Sequence, residues 1–463
     1  MCITKKNILM LMLAIALTLS SCSAIPFGTN QMMSPPKLSD RNQRVIIALN
    51  NSLTMGYHLT YALRGNDSSP VRFIDICGEG ETGTLEEAVA IYRPSGIGDK
   101  IFVHVLTQEK GMDWETLYDI PLEGIDCDFI DFQDINNDKK MELIIGRTTT
   151  DPKNNILSVY SFNNNTAQEI YSCNYMDMRI IQPGINTPPK IFYIFNNLAQ
   201  GIREGKTASF DGTKMTVQSS VEMDPEVTQY ESIIISSIKE SIENENAKML
   251  TAIYCNGIKS ATIRNINAGV TELLYIDNND NLVNPFFSKE KNAVTLTANV
   301  YSILPMDINN DNILEIPLLK RLSPEDTPAS TTVWQIDWYK YDAGKNELIE
   351  EANMLYNPQM NYAVKLLPKW TGKVMVASED SGRCWTVNPA DEPNTTLYKI
   401  YSQSPSDYYE HPNSQILYSN TSIIISIAKG IIDKNYNGEY KDMLLTDKEL
   451  KEIFIFEGLR NAN

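Results

Sequence analysis

The sequence predicts a mainly β protein in which a unit of four short strands is repeated about five to seven times as the blades of a β-propeller, followed by a small α+β domain. Three observations support this prediction. Short runs of β-branched and aromatic residues follow one another through most of the chain, an Asp-rich loop occurs twice, and the sequence pattern changes near residue 362.

The strands are predicted by apolar runs that alternate with Asn, Asp and Gly turns. Such runs include "RVIIAL", "VRFIDI", "KIFVHVL", "MELIIG", "KIFYIF" and "LEIPLL". Residues 207–218, "TASFDGTKMTVQ", are typical of a hairpin with Asp-Gly at its tip. Residues 230–249, "YESIIISSIKESIENENAKM", fit both a helix and a strand, and the sequence leaves that choice open.

The repeat is indicated by the loop "DINND", which begins at Asp134 and again at Asp307. These positions are 173 residues apart, and an altered copy at Asp75 lies 59 residues before the first. A spacing of three periods of about 58 residues fits one blade per period. Because four short strands cannot bury both faces alone, each unit must pack on its neighbours. A pair of β-sandwiches is the alternative architecture.

The repeats are predicted to occupy residues 41–361, and residues 362–463 form the separate α+β domain. In that domain, residues 445–459, "LTDKELKEIFIFEGL", indicate a closing helix. Thr446 can cap this helix, and Glu449 follows at the spacing of a capping box.

The N-terminus is predicted to be a lipoprotein signal peptide of residues 1–22. Lys5 and Lys6 precede the apolar run Ile8–Leu19, and small residues then precede Cys22. The stretch "LSSC" resembles a bacterial lipobox, which implies a lipidated Cys22, a membrane anchor and an extracytoplasmic location. An ordinary secretory signal is the alternative. Residues 23–40 are predicted to be a tether between the lipid and the globule.

The composition restricts the class of partner and the cysteine chemistry. The formal net charge is −18, which argues against nucleic acid because that affinity depends on Lys and Arg at phosphates. Seven cysteines are present, of which five follow the signal segment, and no pair has CxxC spacing. This pattern indicates buried free thiols rather than a disulfide scaffold or a zinc site.

The repeated loop has the chemistry of a calcium site. Side-chain oxygens occur at its alternate positions 1, 3, 5 and 9, and position 7 can contribute a backbone carbonyl, as a hard cation with six to eight oxygen ligands requires. The predicted ligands are Asp134, Asn136, Asp138, Lys140 and Glu142 in the first loop, and Asp307, Asn309, Asp311, Ile313 and Glu315 in the second.

"DINNDKKMEL" and "DINNDNILEI" resemble the calcium loops of FG-GAP and VCBS-type propeller repeats, which implies a structural calcium between blade strands. Both copies depart from that pattern at position 6, where the usual Gly is replaced by Lys139 and Asn312. Asp75 and Glu79 fit the altered early copy only in part, and residues 275–286 lack the final Glu. A metal-free Asx-turn is the alternative reading of these loops.

No catalytic motif stands out in the sequence. His104 lies inside a predicted strand and is expected to be a satisfied structural histidine. The aromatic residues of "VWQIDWYKY" could line a sugar-binding surface, but their alternation on a strand favours packing between blades.

The sequence therefore favours a lipid-anchored envelope protein that acts in binding or scaffolding, with a protein or glycan ligand, over an enzyme. That functional step is an analogy from the fold. The alternative is an envelope- or polysaccharide-directed hydrolase with carboxylates in the propeller channel. A third hypothesis is a sensory or accessory lipoprotein whose C-terminal domain contacts a partner.

Overall fold

The computed structural model describes residues 39–459, except for 54–55, 65–68, 77, 79–84, 97, 110–111, 152, 164–165, 183–186, 198–199, 245, 261–266, 431–439 and 457–458. The predicted signal peptide with Cys22, most of the tether, Cys77 and Glu79 lie outside the described residues. Within the described residues, no helix has the length and apolarity needed to cross a membrane.

The described chain begins with helix α1 (Asp40–Ser52), where the sequence predicted a strand at "RVIIAL". That prediction is wrong. The Ser39 hydroxyl caps the helix by accepting from the N–H of Asn42 at 3.2 Å. Val45 and Leu49, four residues apart, are then buried on one face of the helix, so tertiary packing outweighs the β preference of the run.

In the described part of the chain, the strands form six main antiparallel sheets, named here I to VI in chain order. Sheet I contains β1 (Tyr57–Leu59), β2 (Val71–Phe73), β3 (Leu85–Pro94), β4 (Lys100–Glu109) and β5 (Glu115–Glu123). Sheet II contains β6 (Cys127–Gln133), β7 (Glu142–Arg147), β8 (Asn155–Asn163) and β9 (Thr166–Tyr175). Sheet III contains β10 (Asp177–Ile181), β11 (Lys190–Asn197), β12 (Ile202–Phe210) and β13 (Met215–Met223).

The later sheets follow a similar plan. Sheet IV contains β14 (Val227–Lys239), β15 (Met249–Ser260), β16 (Asn267–Ile276) and β17 (Leu282–Val283). A small hairpin, β18 (Phe287–Ser288) and β19 (Ala293–Val294), precedes sheet V. Sheet V contains β20 (Ile316–Arg321), β21 (Trp334–Asp342), β22 (Glu347–Asn357), β23 (Tyr362–Lys365) and β29 (Phe454–Ile455). Sheet VI contains β24 (Val374–Glu379), β25 (Cys384–Pro389), β26 (Tyr398–Gln403), β27 (Ser414–Ser419) and β28 (Ile424–Lys429).

Sheets II, III and IV each consist of four strands in strict chain order. This confirms a mainly β chain built from repeated four-stranded units. The predicted hairpin is formed by β12 and β13, with Asp211 and Gly212 in the connecting turn. The first half of the segment that the sequence left open, residues 230–239, lies in strand β14.

Each main sheet packs on the next one along the chain, as units that bury little alone must do. Separate apolar cores join sheets I and II, sheets II and III, sheets III to V, and sheets V and VI. Representative residues of these four cores, in that order, are Val103 and Phe132, Leu157 and Ile191, Phe192 and Leu273, and Tyr362 and Trp385.

The C-terminal part is joined to sheet V. β23 begins at Tyr362, the predicted start of a separate domain, and pairs with β22, while β29 pairs with β23. Helix α2 (Asp447–Glu452) begins with the predicted capping box of Thr446 and Glu449. It is shorter than the predicted helix, because Phe454 and Ile455 form β29 instead. The division into two domains stays a prediction.

Short 3-10 helices and free thiols complete the description. The 3-10 helices are Ala329–Thr331, Asp380–Gly382, Pro405–Asp407 and Lys441–Met443. Of the cysteines in the described part of the chain, Cys127 and Cys255 are buried free thiols, and Cys173 and Cys384 are partly buried free thiols.

Candidate functional site

The first Asp-rich loop connects β6 to β7 in sheet II. Gln133 and Glu142 face each other at the base of the loop. Above them, the Asp134 carboxylate accepts hydrogen bonds from the N–H groups of Asp138, at 3.1 Å, and Lys139, at 2.9 Å. The carboxylate at position 1 therefore holds the turn from inside.

The second loop repeats this arrangement before β20 of sheet V. Met306 and Glu315 form the bridge at its base, and both lie 173 residues after their counterparts in the first loop. The Asp307 carboxylate accepts from the N–H groups of Asp311, at 3.1 Å, and Asn312, at 2.8 Å. The two loops thus share their backbone hydrogen bonds as well as their sequence.

Both loops adopt a left-handed backbone at positions 4 and 6. The φ angles are 63° at Asn137, 71° at Lys139, 63° at Asn310 and 65° at Asn312. Position 6 is where the resembled repeats carry Gly, the residue that adopts this conformation without strain. Lys139 therefore adopts a left-handed backbone conformation that lysine disfavours. Asn312 tolerates the same conformation better.

In the first loop a side-chain amide lies between two carboxylates. Nδ2 of Asn136 donates to Asp138 at 3.2 Å and to Glu142 at 3.1 Å. Glu142 is 1% exposed, and its other oxygen accepts from the N–H of Ile135 at 3.0 Å. Burial, with smaller contributions from the charges of Asp138 and Asp134, raises the pKa of Glu142 to about 7, against the hydrogen bond from Ile135.

In the second loop an ammonium lies between the corresponding carboxylates. Nζ of Lys340 is 2.5 Å from Asp311, 3.5 Å from Glu315 and 3.3 Å from Glu351. Burial lowers the pKa of Lys340, but the hydrogen bond to Asp311 and the charge of Glu351 outweigh burial and raise it above its ordinary value. Burial raises the pKa of Glu315, which Lys340 opposes.

The residues at position 7 place no side-chain oxygen in either loop. The N–H groups of Lys140 and Ile313 donate to the position-5 carboxylates of Asp138, at 2.8 Å, and Asp311, at 3.0 Å. The Lys140 side chain is exposed, whereas that of Ile313 is buried. Their predicted contribution through backbone carbonyls stays a prediction.

The donor set fits a hard cation, because every candidate side chain is a carboxylate or an amide. In the described part of the chain, however, no group of three or more His, Cys, Asp or Glu side chains is placed to hold a metal ion. The carboxylates of both loops accept hydrogen bonds from their own backbone instead. A calcium ion would have to draw these oxygens inward and, in the first loop, turn the Asn136 amide so that its oxygen faces the ion.

The altered early copy lies beside the first loop. The N–H of Met141 donates to the carbonyl of Ile76 at 3.0 Å. Gly78, at φ 73°, lies so close to the carbonyl oxygen of Lys139 that an added Cβ would be 2.0 Å from it. Gly78 is the residue from which this contact could have been predicted, and the contact was not predicted.

Within residues 275–286, residues 277–281 form a polar turn that connects β16 to β17. The Asp277 carboxylate accepts from the N–H groups of Asn279 and Asn281, both at 2.8 Å. Hydrogen bonds from the Asn281 and Asn279 backbone lower the pKa of Asp277. This is the Asx-turn behaviour named as the metal-free alternative.

Two carboxylates form ion pairs with the same guanidinium. Arg64 forms ion pairs with Asp128 on β6 and Asp177 on β10. Arg179 on β10 donates to the carbonyl of Ile233 on β14 at 3.1 Å. The first strands of sheets II, III and IV therefore lie side by side. No sequence pattern indicated this cluster, because Arg64 lies 64 residues before Asp128 and 113 residues before Asp177.

The predicted structural histidine and packing aromatics are where the sequence placed them. His104 is buried, with Nδ1 at 3.0 Å from Asp119 and Nε2 at 3.0 Å from Thr116. In β21, Trp338 is fully buried and Tyr341 is 1% exposed, so both pack inside the molecule.

A cavity of about 470 Å³ in sheet VI contains aromatic and charged side chains. The His411 ring stacks on Tyr401 with centroids 3.6 Å apart, and the exposed Tyr409 packs edge-on against His411. Arg383 and Gln403 line the same cavity. Burial and the charge of Lys399 lower the pKa of His411, so the neutral ring is favoured at neutral pH.

No family model matches the chain, and no curated protein matches it. Among solved structures, it is similar to a levansucrase from B. megaterium, at 9% identity over 66% of this chain and 84% of that chain, with a TM-score of 0.26. It is also similar to an exo-β-1,3-galactanase from Phanerochaete chrysosporium, at 7% identity over 80% and 89%, with a TM-score of 0.26. An exotype rhamnogalacturonan lyase matches at 9% identity over 81% and 75%, with a TM-score of 0.23. TM-scores this low do not establish a shared fold.

Proposed function

We propose that this chain is an extracytoplasmic protein, anchored in the membrane through a lipid on Cys22, whose calcium-braced β-propeller binds a ligand or serves as a scaffold at the cell envelope. The observation that carries the proposal is the repeated loop. Two segments 173 residues apart fold alike, and in each the carboxylate at position 1 accepts hydrogen bonds from the N–H groups of positions 5 and 6.

The propeller is proposed from the order of the sheets. Six main sheets stack in chain order, and the first strands of three successive sheets meet at Arg64 and Arg179. Closing this arrangement radially would place sheet I beside sheet VI. Solution X-ray scattering of the protein tests closure: a compact disc agrees with it, and an elongated row of sheets contradicts it.

Calcium is proposed first at the loop Asp134–Glu142. Its carboxylates at positions 1, 5 and 9 carry a formal charge near −3, and no ammonium lies between Asp138 and Glu142 among the described residues. A bound cation would relieve that repulsion and stabilise the folded chain by linkage. Calorimetric titration of the protein with calcium tests this: Asp134→Ala should remove the binding heat, and a wild-type chain that gives no heat would exclude the site.

The lipid anchor has its own test in cells. The full chain should fractionate with membranes and carry label from a fatty-acid precursor. Cys22→Ala should release the chain from the membrane fraction and lose the label, because the lipid is attached to that thiol. An unlabelled wild-type chain in the soluble fraction would reject the anchor and favour an ordinary secretory signal.

A ligand at the envelope is proposed for the cavity of sheet VI. The Tyr401 and His411 rings, the Arg383 guanidinium and the Gln403 amide combine apolar faces with hydrogen-bonding groups, as sugar and peptide sites do. Binding of purified envelope glycans and of envelope protein extracts, compared between the wild-type chain and His411→Ala, tests this. Equal retention by both chains would place the ligand elsewhere.

The second candidate function is a hydrolase that acts on envelope polysaccharide. The convergence of Asp128 and Asp177 on neighbouring first strands favours it, since two facing carboxylates are the machinery of glycoside hydrolysis. Arg64 lies between these two carboxylates, which favours a structural role for all three residues instead. Release of reducing sugar that is lost in both Asp128→Asn and Asp177→Asn would establish the hydrolase over the binding role.

A further inference from the structure

The two Asp-rich loops differ at one position of the strand that packs behind them. In sheet II, Leu143 pairs with Tyr160, so Ser161 comes opposite Glu142. In sheet V, Ile316 pairs with Tyr339, so Lys340 comes opposite Glu315. The same place in the two repeats therefore holds a hydroxyl in one and an ammonium in the other.

A shared irregularity confirms that these places correspond. Both sheets contain a β-bulge next to this position. In each sheet the bulge leaves one residue of the following strand without an opposite residue in the strand register. That residue is Ile170 in sheet II and Glu351 in sheet V. Sheet V thus has a Lys and Glu pair where sheet II has a Ser and Ile pair.

The ammonium of Lys340 has the position that a bound cation would need. It lies between the carboxylates at positions 5 and 9 of its loop, 2.5 Å from Asp311 and 3.5 Å from Glu315, and it also contacts Glu351. Lys340 is 6% exposed and Glu315 is fully buried, so solvent does little to screen the contact between these two residues, whereas the side chains of Asp311 and Glu351 are 40% and 34% exposed. The ammonium donates a hydrogen bond to Asp311 and lies within ion-pair distance of Glu315 and Glu351.

In the first loop, a different group lies between the carboxylates at positions 5 and 9. There the amide of Asn136 is the group between Asp138 and Glu142, and Ser161 adds only a hydrogen bond to Glu142. An amide carries no net charge, so the group between these two carboxylates supplies hydrogen bonds but no positive charge.

We propose that Lys340 is the built-in cation of the second loop, so that this loop is braced without metal, while Ser161 leaves the first loop to take a divalent cation from solution. The part that concerns the first loop rests on the calcium site proposed above. The part that concerns Lys340 stands on its own contacts. The first loop would then respond to calcium, and the second would keep its structure when calcium is absent.

The experiment exchanges the two pairs in the full chain. Lys340→Ser with Glu351→Ile gives the second loop the residues of the first, and Ser161→Lys with Ile170→Glu does the reverse. Calcium binding is measured by calorimetric titration, and Tm is measured in excess chelator and in excess calcium. Lys345→Ser, which removes an exposed ammonium paired with Glu243, is the matched control.

The expected results differ between the loops. The single variant Lys340→Ser should lower Tm in chelator, and calcium should restore it through a new site that Asp307→Asn abolishes. Ser161→Lys with Ile170→Glu should remove the calcium response of the first loop. In a chain that keeps Lys340, Asp307→Asn should leave calcium binding unchanged. This variant tests the second loop without a substitution at Lys340.

Two results would overturn the inference. One is a loss of calcium binding in Asp307→Asn alone, because the second loop would then hold metal despite Lys340. The other is a folded Lys340→Ser chain with the wild-type Tm in chelator and no gain of calcium response. If the wild-type chain binds no calcium but Lys340→Ser acquires a response, the proposed calcium site of the first loop fails while the role of Lys340 is supported.

Discussion

Stability should depend on pH through Glu272, a carboxyl on β16 that is fully buried. One of its oxygens accepts from the Tyr230 hydroxyl at 2.7 Å, and the other accepts from the N–H of Asp224 at 3.0 Å and from Asn284 at 3.3 Å. Burial raises the pKa of Glu272 from 4.5 to about 7, against the effect of these hydrogen bonds.

The sign of the effect follows from proton binding. Between pH 4.5 and pH 7 the folded chain keeps the Glu272 proton that the unfolded chain has lost, so the free energy of unfolding falls as the pH rises through this window. A pKa difference of about 2.5 corresponds to about 3 kcal/mol. Glu272→Gln cannot ionise and should remove this contribution.

The assay is denaturant unfolding of wild-type and Glu272→Gln chains at several pH values from 5 to 8. The wild-type chain should lose about 3 kcal/mol more than the variant across that range. The matched control is Glu226→Gln, an exposed carboxyl of the same network, which should keep the wild-type profile. Parallel pH profiles for wild type and Glu272→Gln would refute the reasoning.

Three further substitutions test other parts of the structure. Lys259→Met removes the partner that lies 2.6 Å from the fully buried Asp224, and should reduce the free energy of unfolding by about 3–5 kcal/mol in denaturant titrations. Gly78→Ala should lower Tm, because its Cβ would be 2.0 Å from the carbonyl of Lys139 and its φ is 73°. Thr446→Ala removes the cap of α2 and should cost about 1 kcal/mol by the same titration.

Each of these has a control or a contrary outcome. Lys345→Met breaks an exposed ion pair and should change stability far less than Lys259→Met, so an equal loss in both Lys variants would reject the burial argument. Gly212→Ala has a positive φ but an open surrounding, and should lower Tm less than Gly78→Ala. A wild-type stability for Thr446→Ala would mean that α2 is held by packing alone.

The repeated unit could be predicted because its signals are local in the sequence. Asp134 and Asp307 each begin a loop in which the backbone N–H groups bond to carboxylates within the same nine residues, so similar sequences fold alike. The same is true of the capping box at Thr446 and of the turn at Gly212. Apolar runs bounded by Asn, Asp and Gly turns similarly identified most strands, because strand preference and turn chemistry are local properties of the sequence.

Other features depend on contacts between residues that are distant in the sequence, which local sequence patterns do not predict. Helix α1 was missed because "RVIIAL" is β-branched, and the packing of Val45 and Leu49 on sheet I decides its structure. Lys340 could not be assigned to the second loop without the register of β20 and β21. The pairing of β23 with β22 likewise joins residues on both sides of a boundary drawn from composition.

The central claim is that the first Asp-rich loop is a calcium-dependent brace of the β-sheets. The most direct test is the thermal unfolding of the full chain in calcium and in excess chelator, beside Asp134→Ala. The account predicts that calcium raises Tm, that chelator reverses the rise, and that Asp134→Ala unfolds at the same temperature in both. Identical wild-type melting in calcium and in chelator would contradict it and make "DINND" a polar turn.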